Sequence, residues 1–135
     1  MTKLTGSCLC GSVSYVADGD IKLTMNCHCT SCQTLTGSVY GTNLFFAEGD
    51  LSVSGELATY QHKSDSGNTM TRYFCPKCGT QIYGKNSGRE GMVTVRAGGV
   101  HQKDEIKPSM NIYSSSAVPS TAMDSNLKTF EKMPG

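Results

Sequence analysis

The placement of seven cysteines constrains this chain more than any other feature of its sequence. Three of them fall in Cys27-His28-Cys29-Thr30-Ser31-Cys32, and the other four form the pairs Cys8-Leu9-Cys10 and Cys75-Pro76-Lys77-Cys78. In an extended segment Cys27 and Cys29 project to one face and His28 to the other, and a turn after Cys29 brings Cys32 back beside them. Three sulfurs can then converge on one metal ion. Four sulfurs remain, which is enough for a second, closed site.

The cellular compartment decides whether such cysteines bind metal or form disulfides. The N-terminal segment 1–7 has no apolar region, and no apolar run approaches membrane-spanning length, so we expect a soluble, cytoplasmic protein with no membrane partner. Thiols stay reduced in the cytoplasm, and an odd number of cysteines cannot pair completely. The pattern therefore favours metal binding over a disulfide framework.

Length and charge narrow the class of protein further. A chain of 135 residues has the size of one domain, so we predict a single domain over residues 1–135. Its 12 Lys and Arg residues balance 11 Asp and Glu residues, and the basic positions are scattered. This distribution predicts no nucleic-acid partner.

Short alternations of apolar and polar residues predict a mainly β fold. The strand-like segments are 12–16, 21–25, 39–46, 51–53, 58–61, 69–74, 81–83 and 92–96. Turn-forming residues separate them, as in segments 17–20 and 64–68, and no window has a sustained helical period. We therefore expect antiparallel sheets, followed by an irregular C-terminal tail over residues 114–135.

The segment Cys75-Pro76-Lys77-Cys78-Gly79 has the form of a zinc knuckle, in which glycine allows the backbone to reverse after the second ligand. The alternative, a redox-active pair, needs a βαβ context that the sequence does not show. Cys8 and Cys10, at alternate positions of an early strand, can supply the other half of a four-thiolate site. A competing pairing joins Cys29 and Cys32 to the knuckle as a zinc ribbon, and spacing alone leaves both pairings open.

The fourth position of a site made by Cys27, Cys29 and Cys32 has two interpretations. A histidine could close it, although His28 should point away from the sulfurs, which leaves His62 and His101 as candidates. An open fourth position would instead accept a substrate. Three thiolates make Zn²⁺ a weak activator of water but a good partner for another sulfur, which points to a low-molecular-weight thiol substrate.

The joint cysteine pattern resembles the glutathione-dependent formaldehyde-activating enzymes, a family to which centromere protein V is also related. The resemblance rests on three segments in order and register, Gly6-Ser7-Cys8-Leu9-Cys10-Gly11-Ser12-Val13-Ser14-Tyr15, Cys27-His28-Cys29-Thr30-Ser31-Cys32 with Gly37, and Phe74-Cys75-Pro76-Lys77-Cys78-Gly79-Thr80. It extends from about Gly6 to Gly99. Seven cysteines in register are far more specific than one CxxC motif.

The resemblance implies zinc-stapled antiparallel sheets of the β-tent type and two zinc ions per chain. The structural zinc would be bound by Cys8, Cys10, Cys75 and Cys78, and the catalytic zinc by Cys27, Cys29 and Cys32. It also implies a carbon–sulfur lyase in which a zinc-bound thiolate adds to an aldehyde, as glutathione adds to formaldehyde to give S-(hydroxymethyl)glutathione. The partners would be a glutathione-like thiol and an aldehyde.

The sequence departs from the family pattern in its C-terminal part. Many members carry a Pro-x-x-His-Ile element and a tryptophan, whereas this chain reads Pro108-Ser109-Met110-Asn111-Ile112 and has no tryptophan. The Asn111 amide cannot shuttle a proton near neutral pH. Four cations are candidates for binding substrate carboxylates: Arg72, Lys77, Arg89 and Arg96.

Two other functions remain compatible with the sequence. One is a non-catalytic two-zinc scaffold that binds a thiol or a protein partner, which the altered residue at Asn111 allows. The other is a redox or metal sensor, because a three-cysteine site oxidises readily once its metal leaves.

Overall fold

The computed structural model describes residues 2–134 and has a mainly β fold, as the alternation pattern predicts. The strands are β1 (Thr2–Ser7), β2 (Ser14–Gly19), β3 (Leu23–Cys27), β4 (Gly41–Ala47), β5 (Leu51–Ser54), β6 (Ala58–Lys63), β7 (Thr69–Phe74), β8 (Gln81–Asn86), β9 (Met92–Arg96), β10 (Met110–Ile112) and β11 (Lys128–Thr129). Each of the eight predicted segments overlaps one of these strands. One α-helix, α1 (Thr30–Thr36), lies between β3 and β4.

The strands form two sheets. The smaller has the order β1-β2-β5, and the larger has the order β11-β10-β3-β4-β9-β8-β7-β6. Pairing is antiparallel, as expected, except that β10 runs parallel to both β3 and β11. A buried cluster that includes Leu4, Val13, Tyr15, Phe46 and Val95 contains residues of both sheets.

Three strands lie outside the predicted segments, and all of them depend on tertiary pairing. β10 and β11 have only three and two residues, too few to show a period-2 pattern, and β10 forms by pairing with β3. β1 lies beside β2, which continues through Ala17 to Gly19, where the sequence predicts a turn. Part of the C-terminal segment is therefore ordered by the sheet, with Phe130 packed against the cluster around Met25 and Ile112.

Helix α1 corrects the expectation of a simple turn after Cys29. The helix has only seven residues, which is too short for a helical period to be visible in the sequence. The Cys29 sulfur caps its N-terminus by accepting a hydrogen bond from the Cys32 amide, at 3.3 Å. Gly37 ends the helix in the left-handed conformation that glycine adopts without a steric cost. None of the helices within residues 2–134 is long and apolar enough to cross a membrane.

Candidate metal centre

The sulfurs of Cys8, Cys10, Cys75 and Cys78 form one cluster, in which all four lie within 4.8 Å of one another. The sequence analysis places Cys8 and Cys10 in a strand, and this prediction is wrong. Strand β1 ends at Ser7, and both cysteines belong to the turn that follows. The turn still brings their sulfurs together, at 3.7 Å. Cys75 follows β7, so the cluster connects the smaller sheet to the larger one.

Backbone and hydroxyl donors point at these four sulfurs. The Val13 amide donates to Cys8 Sγ at 3.3 Å, and the Lys77 amide donates to Cys75 Sγ at 3.4 Å. Hydrogen bonding from the Thr80 hydroxyl, at 3.2 Å, lowers the pKa of the Cys78 thiol to about 5. These contacts favour thiolates, which are the form that binds metal. The sharp reversal expected at Gly79 is present, with φ at +77°.

Cys27, Cys29 and Cys32 form the second cluster, and their sulfurs also lie within 4.8 Å of one another. Cys27 is the last residue of β3, Cys29 caps α1 and Cys32 lies in its first turn. The sulfurs of Cys27 and Cys29 are 3.2 Å apart. Cys27 and Cys32 are only 5% and 3% exposed. The structure thus groups the seven cysteines as four and three, and it excludes the zinc-ribbon pairing of Cys29 and Cys32 with the knuckle.

Arg96 supports the three-cysteine cluster from its buried side. Its Nη1 lies 3.5 Å from Cys32 Sγ and donates to Asn43 Oδ1 at 2.9 Å, and its Nε donates to Gln81 Oε1 at 2.9 Å. Hydrogen bonds from the neighbouring thiols and the Arg96 charge lower the pKa of the Cys32 thiol. A Cβ at Gly41 would lie 2.6 Å from Nη1, so any other residue at position 41 would displace the end of the Arg96 side chain.

Within residues 2–134, no histidine nitrogen joins the three sulfurs. His28 points away from them, as predicted, and packs on Tyr40, and its Nε2 lies 3.1 Å from Asn111 Oδ1. His62 Nε2 accepts a hydrogen bond from Arg72. The ring nitrogens of His101 lie 3.1 Å from the hydroxyls of Thr5 and Ser7. The described residues therefore do not support closure of this cluster by a histidine.

A cavity of about 310 Å³ opens beside the three-cysteine cluster. Its lining combines the three cysteines with apolar and polar residues, among them Met25, Phe45, His62, Asp65, Met70, Arg72, Arg89, Ile112, Tyr113 and Lys132. Its volume is at the lower end of the range for small-molecule sites. Asn111 is buried against His28 and is not part of the lining. A cluster of soft donors without a fourth protein ligand, facing a cavity, can accept a ligand from solution.

Comparison with known proteins gives a family and a similar fold. The model of the family described as glutathione-dependent formaldehyde-activating enzyme matches residues 3–116. The chain belongs to this family. A crystal structure of a Rhodobacter sphaeroides protein superposes with a TM-score of 0.57 at 20% identity, covering 77% of this chain and 96% of that chain. That likeness concerns the fold alone. No curated protein sequence matches the chain.

A contact between Tyr113 and Asp65 spans the cavity of this family member, and no sequence motif predicts it. Tyr113 follows β10, whereas Asp65 lies in the turn between β6 and β7, at the other end of the eight-stranded sheet. The Tyr113 hydroxyl donates to Asp65 Oδ1 at 2.8 Å. Tyr113 is the only non-glycine residue of the described chain with positive φ, at +57°. A bulky side chain in this conformation is strained, and such strain concentrates at functional sites.

Tyr113→Phe should open the cavity without moving the ring. The variant loses only the hydroxyl, so the link between the two walls disappears. With a hydrogen bond worth about 1 kcal/mol, we expect labelling of Cys29 by iodoacetamide to accelerate roughly fivefold. Mass spectrometry of the labelled full-length chain measures the rate. Tyr60→Phe alters an exposed tyrosine outside this contact and should leave the rate unchanged, and an unaltered rate in Tyr113→Phe would contradict a closing role for the contact.

Proposed function

We propose that this protein is a zinc-dependent carbon–sulfur lyase that acts on a thiol–aldehyde adduct, with glutathione-like thiols and formaldehyde-like aldehydes as its partners. The observation that carries the proposal is the three-sulfur cluster, which faces a cavity and has no fourth ligand among the described residues. The donors suit zinc, since both clusters offer only soft sulfurs. We infer two zinc ions per chain, one held by the four-cysteine cluster and one by Cys27, Cys29 and Cys32.

Zinc bound to the three cysteines would hold the substrate thiol as a thiolate near neutral pH. The residues around the cluster compensate charge and limit the access of water during that step. Arg96 offsets the negative charge of the cysteine sulfurs, and the apolar walls at Met25 and Phe45 limit water around the reacting atoms. In the reaction the substrate sulfur attacks the aldehyde carbon, a carbon–sulfur bond forms, and the carbonyl π electrons move to the oxygen, which takes up a proton from solvent. The lyase direction reverses each change.

Metal content tests this proposal most directly. Full-length protein purified under reducing conditions should contain two zinc ions per chain by elemental analysis. A mild chelator should remove one of them, and added glutathione should slow that removal, because a thiol would occupy the open position. Proton NMR should then show formation of S-(hydroxymethyl)glutathione from glutathione and formaldehyde faster than in buffer. A single zinc, or two that resist the chelator equally and ignore glutathione, would contradict an open thiol-binding site.

A non-catalytic two-zinc scaffold is the second candidate, and the burial of Asn111 at the position of the family histidine favours it. Protection of zinc by glutathione without any acceleration of adduct formation or breakdown would indicate this function. In either case reduced cysteines require a reducing compartment, and we place the protein in the cytoplasm.

A further inference from the structure

Arg72 is a buried cation on the wall of the cavity. It lies in β7, is only 8% exposed and shares the cavity with Cys27, Cys29 and Cys32. Its Nε donates to His62 Nε2 at 3.1 Å, so that nitrogen must carry the lone pair. His62 Nδ1 lies 3.3 Å from the Lys63 carbonyl oxygen, to which it can only donate. Histidine carries no negative charge, so the one hydrogen-bond partner of Arg72 among the described residues does not offset the guanidinium charge.

No described acidic side chain forms an ion pair with Arg72. The one acidic residue in the lining, Asp65, instead accepts the hydrogen bond from Tyr113. Two further cations, Arg89 and Lys132, line the same cavity. Burial, and then the nearby Arg96 charge, lower the pKa of Arg72, and the charges of the three cysteine sulfurs oppose this shift. Burying a guanidinium in such surroundings costs free energy unless an anion pairs with it.

The free part of the Arg72 guanidinium has the geometry of a carboxylate receptor. Within residues 2–134 neither terminal nitrogen has a hydrogen-bond partner, and neither is sealed from solvent, in contrast to Arg96 Nη2. Two parallel N–H donors on a planar fork match the two oxygens of a carboxylate. Arg96 already contacts the sulfur of Cys32, so Arg72 is not needed for that purpose.

We propose that Arg72 is the specificity-determining residue of the cavity and binds a carboxylate carried by the thiol substrate. The proposal rests on the proposed function, because it assumes that the thiol enters through this cavity toward the three cysteines. Of the four cations that the sequence analysis names as candidates, the proposal selects Arg72. Lys77 is exposed, Arg96 is bonded to Asn43 and Gln81, and Arg89 is half-buried with its guanidinium over the Phe45 ring.

The test compares two thiols of nearly equal size, 3-mercaptopropionate with a carboxylate and 3-mercaptopropionamide with a neutral amide, binding to the zinc-loaded full-length protein. Calorimetry gives each dissociation constant, corrected for the ionised fraction of each thiol. The wild-type protein should bind the carboxylate thiol roughly 10- to 100-fold more tightly, as expected for a charge-assisted bidentate contact. Arg72→Gln should reduce this preference to near unity and leave amide binding unchanged. Arg72→Lys, which keeps the charge but not the fork, should retain an intermediate preference.

The matched control is Lys77→Gln, which removes an exposed cation outside the cavity and should keep the full preference. Equal weakening of both thiols in Arg72→Gln would overturn the proposal, since Arg72 would then act as a counterion of the cysteines. Equal binding of the two thiols by the wild-type protein would also overturn it, and that measurement does not depend on the folding of any variant. Adduct formation without charge preference would contradict this inference but not the lyase. An Arg72-dependent preference without turnover would contradict the lyase alone.

Discussion

Replacing Cys75 with serine is expected to destabilise the whole fold. The Cys75 side chain is fully buried, and its cluster connects the turn after β1 in the smaller sheet to the turn after β7 in the larger one. A serine hydroxyl is a poor replacement for a thiolate in a site of soft donors, so the variant should no longer hold the zinc that we propose for this cluster. Loss of a structural metal is among the few single changes that cost about 4 kcal/mol or more. A domain of this size has a total stability of only about 5–15 kcal/mol.

Thermal unfolding followed by circular dichroism, with and without chelator, measures this effect. The variant should melt at a much lower temperature than the wild type and should no longer respond to chelator. Lys77→Ala alters an exposed residue of the same turn and should have the melting temperature of the wild type. A Cys75→Ser protein that keeps both the wild-type melting temperature and the response to chelator would show that the four cysteines do not hold the two sheets together.

The strands are predictable wherever the sequence carries its own alternation. The predicted segments 69–74 and 92–96 have the bounds of β7 and β9, and each ends at a turn signal. β10 has no such signal. It pairs in parallel with β3, from which more than 80 residues of chain separate it, and a three-residue strand of this kind depends on its partner.

The cysteine clusters show a similar division between local and distant information. The four-plus-three grouping is one of two that the spacing allows, since the competing ribbon also joins two cysteine pairs. Three-dimensional proximity distinguishes them, because the turn after β1 lies beside Cys75, whereas Cys32 lies in α1 under Arg96. The sequence also does not show that Arg72 has no acidic partner among residues 2–134. Its hydrogen-bond partner, His62, is brought beside it from β6, and only the sheet register reveals that neighbour.

Cys32→Ser is expected to abolish the proposed lyase activity while leaving the fold intact. Cys32 is buried in the first turn of α1, where its sulfur completes the three-cysteine cluster and contacts Arg96. Removing only a supporting hydrogen bond of a metal ligand typically costs roughly 10- to 100-fold in activity or affinity, so losing the ligand itself should cost more than about 100-fold. The cluster does not connect the two sheets, because all three cysteines lie within the short segment 27–32. The melting temperature should therefore change far less than in Cys75→Ser.

Three measurements on the same preparation separate these effects: the rate of S-(hydroxymethyl)glutathione formation, the zinc content and the melting temperature. The Cys32→Ser protein should no longer form S-(hydroxymethyl)glutathione faster than buffer, should retain one zinc ion per chain and should keep a cooperative unfolding transition. Thr34→Ala, on an exposed face of the same helix, should match the wild type in all three. A Cys32→Ser protein that turns over at the normal rate would remove the three-cysteine cluster from the mechanism. A Cys32→Ser protein that loses both its activity and its cooperative transition would instead show that this cluster is also needed for the fold. The four-cysteine cluster would then be insufficient to hold the sheets together.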